Sequence, residues 1–155
     1  MSQVEIVRLE QRLNSLFKRV GELDADPELQ AHWARYLCIL VSGYLETAVR
    51  EVYGGYAERT SSLRVARFVL QRLDGVQNAN MERILQTAGA FDEQWRDQLK
   101  DITEGDLKDA VDSIVNNRNQ IAHGRDTGIS YSVVHDYYQR VTKVVRLLQE
   151  QCGPE

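Results

Sequence analysis

Residues 116–124 bring together side chains that could act jointly on a phosphodiester. Arg118 has a permanently charged, planar guanidinium that can bind two phosphate oxygens at once. Asn119 can orient a neighbouring group, and the imidazole of His123 can take up and return a proton near neutral pH. RNA cleavage by its own 2′-hydroxyl needs a base, an acid and positive charge beside the phosphorane. Because DNA lacks that hydroxyl, such chemistry selects RNA.

A straight helix over this stretch would keep the two charged candidates apart. At 100° per residue, with Leu107 at zero, Arg118 falls at about 20° in an apolar stripe and His123 at about 160°. They can share one substrate if the helix end bends, or if two copies of the helix face each other in a homodimer. Both residues also have a purely structural interpretation. The Arg118 stem could cover apolar surface while its guanidinium reaches water or a carboxylate, and His123 could cap the helix.

The elements that must position these residues are predicted to be helices throughout. Proline occurs only at positions 27 and 154, and periodic apolar residues fill the segments between turn signals. We therefore expect one all-α domain over residues 1–155, a bundle of about six to seven helices. The first predicted helix, 4–20, packs on the rest of the domain, and the second runs from 26 to about 52 and ends before Gly54 and Gly55. Three short helices follow, over residues 63–73, 80–87 and 92–100. The sixth is opened by a Thr103 capping box and closed at His123 and Gly124, and the seventh begins after Ser130 and precedes a 151–155 tail.

Two of these elements carry more specific expectations. The second helix is apolar around more than half its circumference, which predicts that it is central and buried. Cys38 lies in this helix and is expected in the core, whereas Cys152 falls in the tail, which should fray. Neither cysteine has a CxxC partner or a histidine at ligand spacing, so the sequence predicts no metal site and no cofactor.

Charge and hydropathy exclude several classes of protein. The net charge is −4, without the basic excess of a duplex-wrapping protein, so nucleic acid would have to meet a local patch or a surface built from two chains. No run of 18 apolar residues is present, which predicts no membrane span. The N-terminus lacks the features of a secretory signal, so we expect a cytoplasmic protein.

Other charged and aromatic residues admit two interpretations each. Arg125, beside the motif, is a candidate phosphate contact. Arg64 and Arg67, in a segment with a basic bias, could follow an RNA backbone if near the motif, or form a solvated face. Glu51 could pair with Arg118 or lie exposed. Three tyrosines could stack on bases or belong to the core: Tyr131, Tyr137 and Tyr138.

The pattern Arg118-Asn119-x-x-x-His123 followed by Gly124 resembles the Arg-Asn-x-x-x-His motif of the HEPN superfamily (higher eukaryotes and prokaryotes nucleotide-binding domain). Residues 34–46 and 103–115 are similar to its RiboL-PSP-HEPN branch, and the resemblance covers about residues 28–148. It implies an all-α bundle and homodimers with paired motifs in a cleft. Many members are metal-independent endoribonucleases in toxin–antitoxin, phage-defence or RNA-processing systems.

Two hypotheses follow from this resemblance. In the first, the chain is a metal-independent endoribonuclease with Arg118 and His123 as catalytic pair and Asn119 as polar helper, acting on RNA as a homodimer. A toxin or defence effector restrained by an antitoxin or partner protein is a variant of it. In the second, the domain is non-catalytic and binds RNA, a nucleotide or a protein through the same cleft, with His123 as a structural cap.

Overall fold

Seven α-helices make up the part of the chain that the computed structural model describes, residues 2–153, with Ser2 described by its backbone alone. Within these residues there is no β-strand, and the all-α prediction is confirmed. The helices are α1 (Ser2–Gly21), α2 (Pro27–Thr60), α3 (Leu63–Leu73), α4 (Met81–Phe91), α5 (Glu93–Thr103), α6 (Asp106–Ala122) and α7 (Tyr131–Cys152). Residues 154 and 155 of the expected tail lie outside the described residues.

Helix α2 is the centre of the bundle. It packs against α1, α3, α6 and α7, and it buries a continuous face that includes Leu37, Val41, Leu45 and Val49. Local interactions determine where α2 begins, because the carboxylate of Asp26 accepts a hydrogen bond from the Leu29 backbone N–H and a proline occupies the first turn. The prediction of a central, buried helix holds for this face.

The prediction that α2 ends before Gly54 and Gly55 is wrong, since the helix continues to Thr60. Both glycines are buried. A Cβ on Gly54 would lie 2.8 Å from the Leu70 Cδ2 atom of α3. Gly54 therefore provides close helix packing instead of a helix end, and the helix stops only at Ser61, whose N–H donates to the Ala57 carbonyl.

A buried polar network fastens α1 and α7 to α2. Glu10 of α1 is buried, and it accepts hydrogen bonds from the Tyr44 hydroxyl at 2.5 Å and from the Arg146 guanidinium at 2.7 Å. The Tyr138 hydroxyl of α7 donates to Asn14 Oδ1 at 2.8 Å. These hydrogen bonds compensate the buried Glu10 carboxylate for the loss of water. This one acidic residue therefore connects α1 to both α2 and α7.

Two predicted boundaries between α4 and α6 also need correction. Thr103 does not open α6; it is the buried last residue of α5, and its hydroxyl donates to the Leu99 carbonyl at 2.7 Å. Gly105, with φ 99°, precedes α6 without any side-chain cap. Helix α4 extends past residue 87 because Phe91 stacks on Tyr53 with ring centroids 5.3 Å apart.

Helix α7 completes the core with a stripe of residues at helical spacing, Val134, Tyr138, Val141, Val145 and Leu148, all of them buried. Contrary to expectation, Cys152 does not fray: it ends α7 and is only 8% exposed. Arg59 of α2 donates to its carbonyl at 3.3 Å, and burial raises the pKa of the Cys152 thiol to about 11.

The three tyrosines with two interpretations pack within the fold. Tyr138 is buried, Tyr131 donates its hydroxyl to the Phe17 carbonyl at 2.6 Å, and Tyr137 packs against the core. None of the helices described between residues 2 and 153 has the length and apolarity required to traverse a bilayer.

Candidate active site

The motif residues lie where α6 ends, and the end has the geometry of a Schellman turn. Gly124 adopts φ 74° and donates its N–H to the Ile121 carbonyl at 3.0 Å, while the Arg125 N–H reaches the Gln120 carbonyl at 2.9 Å. Gly124 thus ends the helix as its position predicts. His123 is the C-cap, and the side chains of His123 and Arg125 are both exposed at this end.

Arg118 lies one and a half turns earlier and is half-buried. Its Nη1 donates to the Asn119 Oδ1 atom at 3.4 Å, a long hydrogen bond to a neutral amide. No ion pair within the described part of the chain includes Arg118. The guanidinium therefore keeps an uncompensated positive charge, which an anionic ligand could satisfy.

Glu51 does not provide that compensation. It is half-buried in a surface recess beside Arg50 and Glu58. Burial, and then the carboxylates of Glu5 and Glu58, raise the pKa of the Glu51 carboxyl. The residue thus lines a recess between α2 and α3, and neither expectation for it, pairing with Arg118 or full exposure, describes its position.

The first half of α2 lies along the second half of α6. The Cys38 thiol approaches the Ile114 carbonyl at 3.6 Å, and Arg35 Nη1 lies 3.7 Å from Asp126 Oδ1 in the loop after the motif. Arg35 also contacts the His32 ring, with Nη2 2.7 Å from Nδ1. Sequence reasoning gave Arg35 and His32 no role; the structure brings Arg35 to the motif end of the bundle as a third arginine, after Arg118 and Arg125.

Asn119 faces a different surface from Arg118. It borders a groove of about 500 Å³ between α4, α5 and α6, whose α6 wall also includes Lys108, Asp112 and Val115. These positions are separated by steps of four, three and four residues, so they share one helix face. His123 follows Asn119 by four residues and continues that face, whereas Arg118 lies about 100° away from Asn119.

The structure brings Arg125 to the motif but not Arg64 or Arg67. Both arginines are exposed on α3, which packs against the C-terminal half of α2 near Gly54. With a rise of 1.5 Å per residue, that part of α2 lies about 30 Å from Arg35 along the helix axis. Within one chain, α3 therefore cannot extend the surface formed by His123 and Arg125.

An apolar stripe on α2 lies exposed beside the motif. Tyr36 is 48% exposed, Leu29 and Ile39 are exposed with it, and the half-buried Trp33 contacts the Tyr36 ring edge-on at 5.7 Å. The stripe lies on the face of α2 opposite its buried residues. The wide apolar circumference of α2 was the signal for it in the sequence, where the whole width was assigned to burial.

Residues 3–153 contain no group of three histidine, cysteine, aspartate or glutamate side chains placed to hold a metal ion. Comparison with known families gives a match over nearly the whole chain: the model described as RiboL-PSP-HEPN matches residues 5–153. No curated protein and no solved structure matches the chain.

Proposed function

The chain belongs to the RiboL-PSP-HEPN family, and from this premise we propose that it is a metal-independent endoribonuclease whose site contains Arg118, Asn119 and His123. One observation carries the proposal. A half-buried arginine that forms no ion pair among the described residues and an exposed histidine lie within six residues at a single helix end. This pair supplies the two functions that 2′-hydroxyl attack requires, charge stabilisation and proton transfer.

In the proposed reaction, His123 accepts the proton of the ribose 2′-hydroxyl. The 2′-oxygen forms a bond to phosphorus, the bond from phosphorus to the 5′-oxygen breaks, and a second imidazole protonates that leaving oxygen. The products are a 2′,3′-cyclic phosphate end and a 5′-hydroxyl end. Arg118 stabilises the negative charge that develops on the non-bridging oxygens, and Asn119 orients the arginine through its amide oxygen.

The second imidazole comes from a second copy of the chain. His123 and Arg118 lie on different faces of α6, so one chain does not direct both at the same phosphate. The exposed stripe of Leu29, Tyr36 and Ile39 adjoins the motif end and would be covered in a two-fold dimer. Such a dimer places two arginines and two histidines around one cleft, and it gathers positive charge despite a net charge of −4 per chain.

Cleavage of a labelled single-stranded RNA in EDTA tests the proposal. The native chain should produce cyclic-phosphate ends, and His123→Ala should abolish them. Arg12→Ala, which removes an exposed arginine of α1, is the matched control and should cleave as the native chain does. Loss of activity on chelation, or full activity in His123→Ala, would reject the assignment. RNA binding without cleavage by the native chain would favour the non-catalytic alternative, in which Arg118 only holds a phosphate.

Restraint by a partner protein, as for a toxin or a defence effector, is a finer part of this proposal. Two observations support it: the chain belongs to the RiboL-PSP-HEPN family, and the side chains at the motif end of α6 are exposed. Controlled expression of the native chain should arrest growth, and expression of His123→Ala should not. Equal growth with the two proteins would remove the toxin role and leave the cleavage chemistry unaffected.

A further inference from the structure

Helix α3 exposes large apolar side chains that the fold does not use. Leu63 is 90% exposed, Phe68 59% and Val65 52%, although the helix has only 11 residues. The buried residues of the helix are Ala66 and Leu73. A solvated surface helix usually presents polar residues at such positions, so this density of exposed apolar area indicates a binding surface.

The surface continues into a groove of about 590 Å³ between α3 and α4. Val69 and Leu73 line one side of the groove, and Ala90 and Phe91 line the other. Phe91 is fixed from behind by its stacking on Tyr53. An apolar floor between two helices is the geometry in which a third amphipathic helix binds.

The rim of this groove is positively charged in an otherwise acidic chain. Residues 59–83 contain five arginines against two acids, Asp74 and Glu82, giving +3, while the net charge of the chain is −4. Arg72 and Arg83 line the groove itself, and none of the five arginines forms an ion pair within the described part of the chain. The Arg72 guanidinium lies over the Phe68 ring, 5.2 Å from its centroid.

We propose that the α3–α4 groove binds an acidic amphipathic helix of a partner protein. Apolar side chains of that helix fill the floor between Leu73 and Phe91, and its carboxylates pair with Arg72 and Arg83 at the rim. The inference is independent of the proposed nuclease function, because the groove lies at the other end of α2 from His123.

Two other occupants fit the surface less well. A two-fold contact between copies through this face would place arginines opposite arginines, which is repulsive. A nucleic acid would use the arginines but leave the aliphatic side chains of Val69 and Leu73 in the groove without a partner. A helix that carries both acids and apolar residues satisfies both features at once.

The test uses the full chain and a displayed library of 18-residue amphipathic helices in which each polar position is randomised between Glu and Lys. Selection should enrich helices in which Glu predominates. An enriched peptide should bind the Arg72→Glu/Arg83→Glu variant at least about tenfold more weakly than the native chain. The matched control, Arg12→Glu/Arg19→Glu on α1, should bind it as the native chain does, and thermal melting should show both variants folded.

Three results would overturn the inference. The first is an absence of enrichment, or enrichment without a preference for Glu. The second is binding of a single-stranded uridine-rich RNA by the native chain but not by Arg72→Glu/Arg83→Glu, because this would assign the groove to nucleic acid. The third is self-association, measured by sedimentation, that the same variant abolishes, since the occupant would then be a second copy.

Discussion

Arg35 of α2 lies 3.7 Å from Asp126, three residues after His123, and so connects the central helix to the loop behind the motif. Asp126 is exposed and also accepts the Gly128 N–H at 3.0 Å, which shapes the loop around the contact. An exposed pair of this kind contributes little to global stability. Its importance is therefore local: it limits where the loop that carries Arg125 can go.

Arg35→Ala should reduce RNA cleavage severalfold while changing the free energy of unfolding by less than about 1 kcal/mol. Initial rates and urea midpoints measure the two effects. Arg140→Ala is the matched control, since it breaks another exposed ion pair, with Asp136 on α7, away from the motif. Equal effects of the two substitutions on cleavage would contradict a local role for Arg35.

Replacing Arg118 should separate its charge from its geometry. Arg118→Ala should lower the single-turnover cleavage rate by about 10²–10³, the usual cost of losing one donor that stabilises a developing oxyanion. Arg118→Lys keeps the charge but loses the planar fork, and its cleavage rate should fall between those of the native chain and Arg118→Ala. If Arg118→Lys matched the native rate, bidentate phosphate recognition would be the wrong description.

Mixed dimers should show whether the two copies share one cleft. A dimer of one native copy and one His123→Ala copy keeps both arginines but only one of the two imidazoles that the proposed reaction needs. Purified through two different tags, it should cleave RNA far more slowly than half the native rate, because its cleft lacks either the base or the acid. A rate of about half the native one would mean that each copy acts alone and would contradict a composite site.

A charge on the apolar stripe of α2 should separate the two copies. Tyr36→Asp places a carboxylate in the middle of the proposed interface, where it would be desolvated without a partner. We expect a monomer in sedimentation experiments at micromolar concentration and little cleavage. Leu63→Asp, at the more exposed apolar position on α3, should leave the dimer intact. Dissociation by both substitutions would indicate a general loss of fold.

Stability should fall at alkaline pH, in part through Tyr138. Burial, and then the Glu10 carboxylate, raise the pKa of Tyr138 to about 12 from the ordinary tyrosine value of 10.0. Because the folded state holds this proton more tightly than the unfolded state, the contribution is complete below pH 10 and is lost as the pH rises towards 12. The unfolding free energy of Tyr138→Phe should decline less steeply over this range than that of the native chain. A parallel decline would contradict the assignment, and Tyr137→Phe, at the neighbouring and less buried position of α7, is the control.

Local signals predicted much of the secondary structure. Asp26, Ser62 and Ser130 cap α2, α3 and α7 as their residue types suggest, because a cap depends only on atoms three residues away. Gly54 and Thr103 could not be assigned in the same way. The first is a glycine because α3 returns to pack on it, and the second is buried by the continuation of α5.

The candidate site was predictable in residue type but not in surroundings. Arg118, Asn119 and His123 were predicted from the resemblance of their motif to that of the family, and their role stays a prediction. The proximity of Arg35 depends on how α2 and α6 pack, which connects residues about 90 positions apart in the chain. The network around Glu10 is equally hidden from sequence, since Tyr44 and Arg146 are 34 and 136 residues away from it.

The uninterrupted helix between Arg118 and the turn at Gly124 sets a strict limit on changes in chain length. Inserting or deleting one residue there would rotate His123 by about 100° and shift it by about 1.5 Å relative to Arg118. Single substitutions at the solvent-facing positions between Arg118 and His123 would leave the angle between these two side chains unchanged. The segment should thus tolerate variation in identity far better than variation in register.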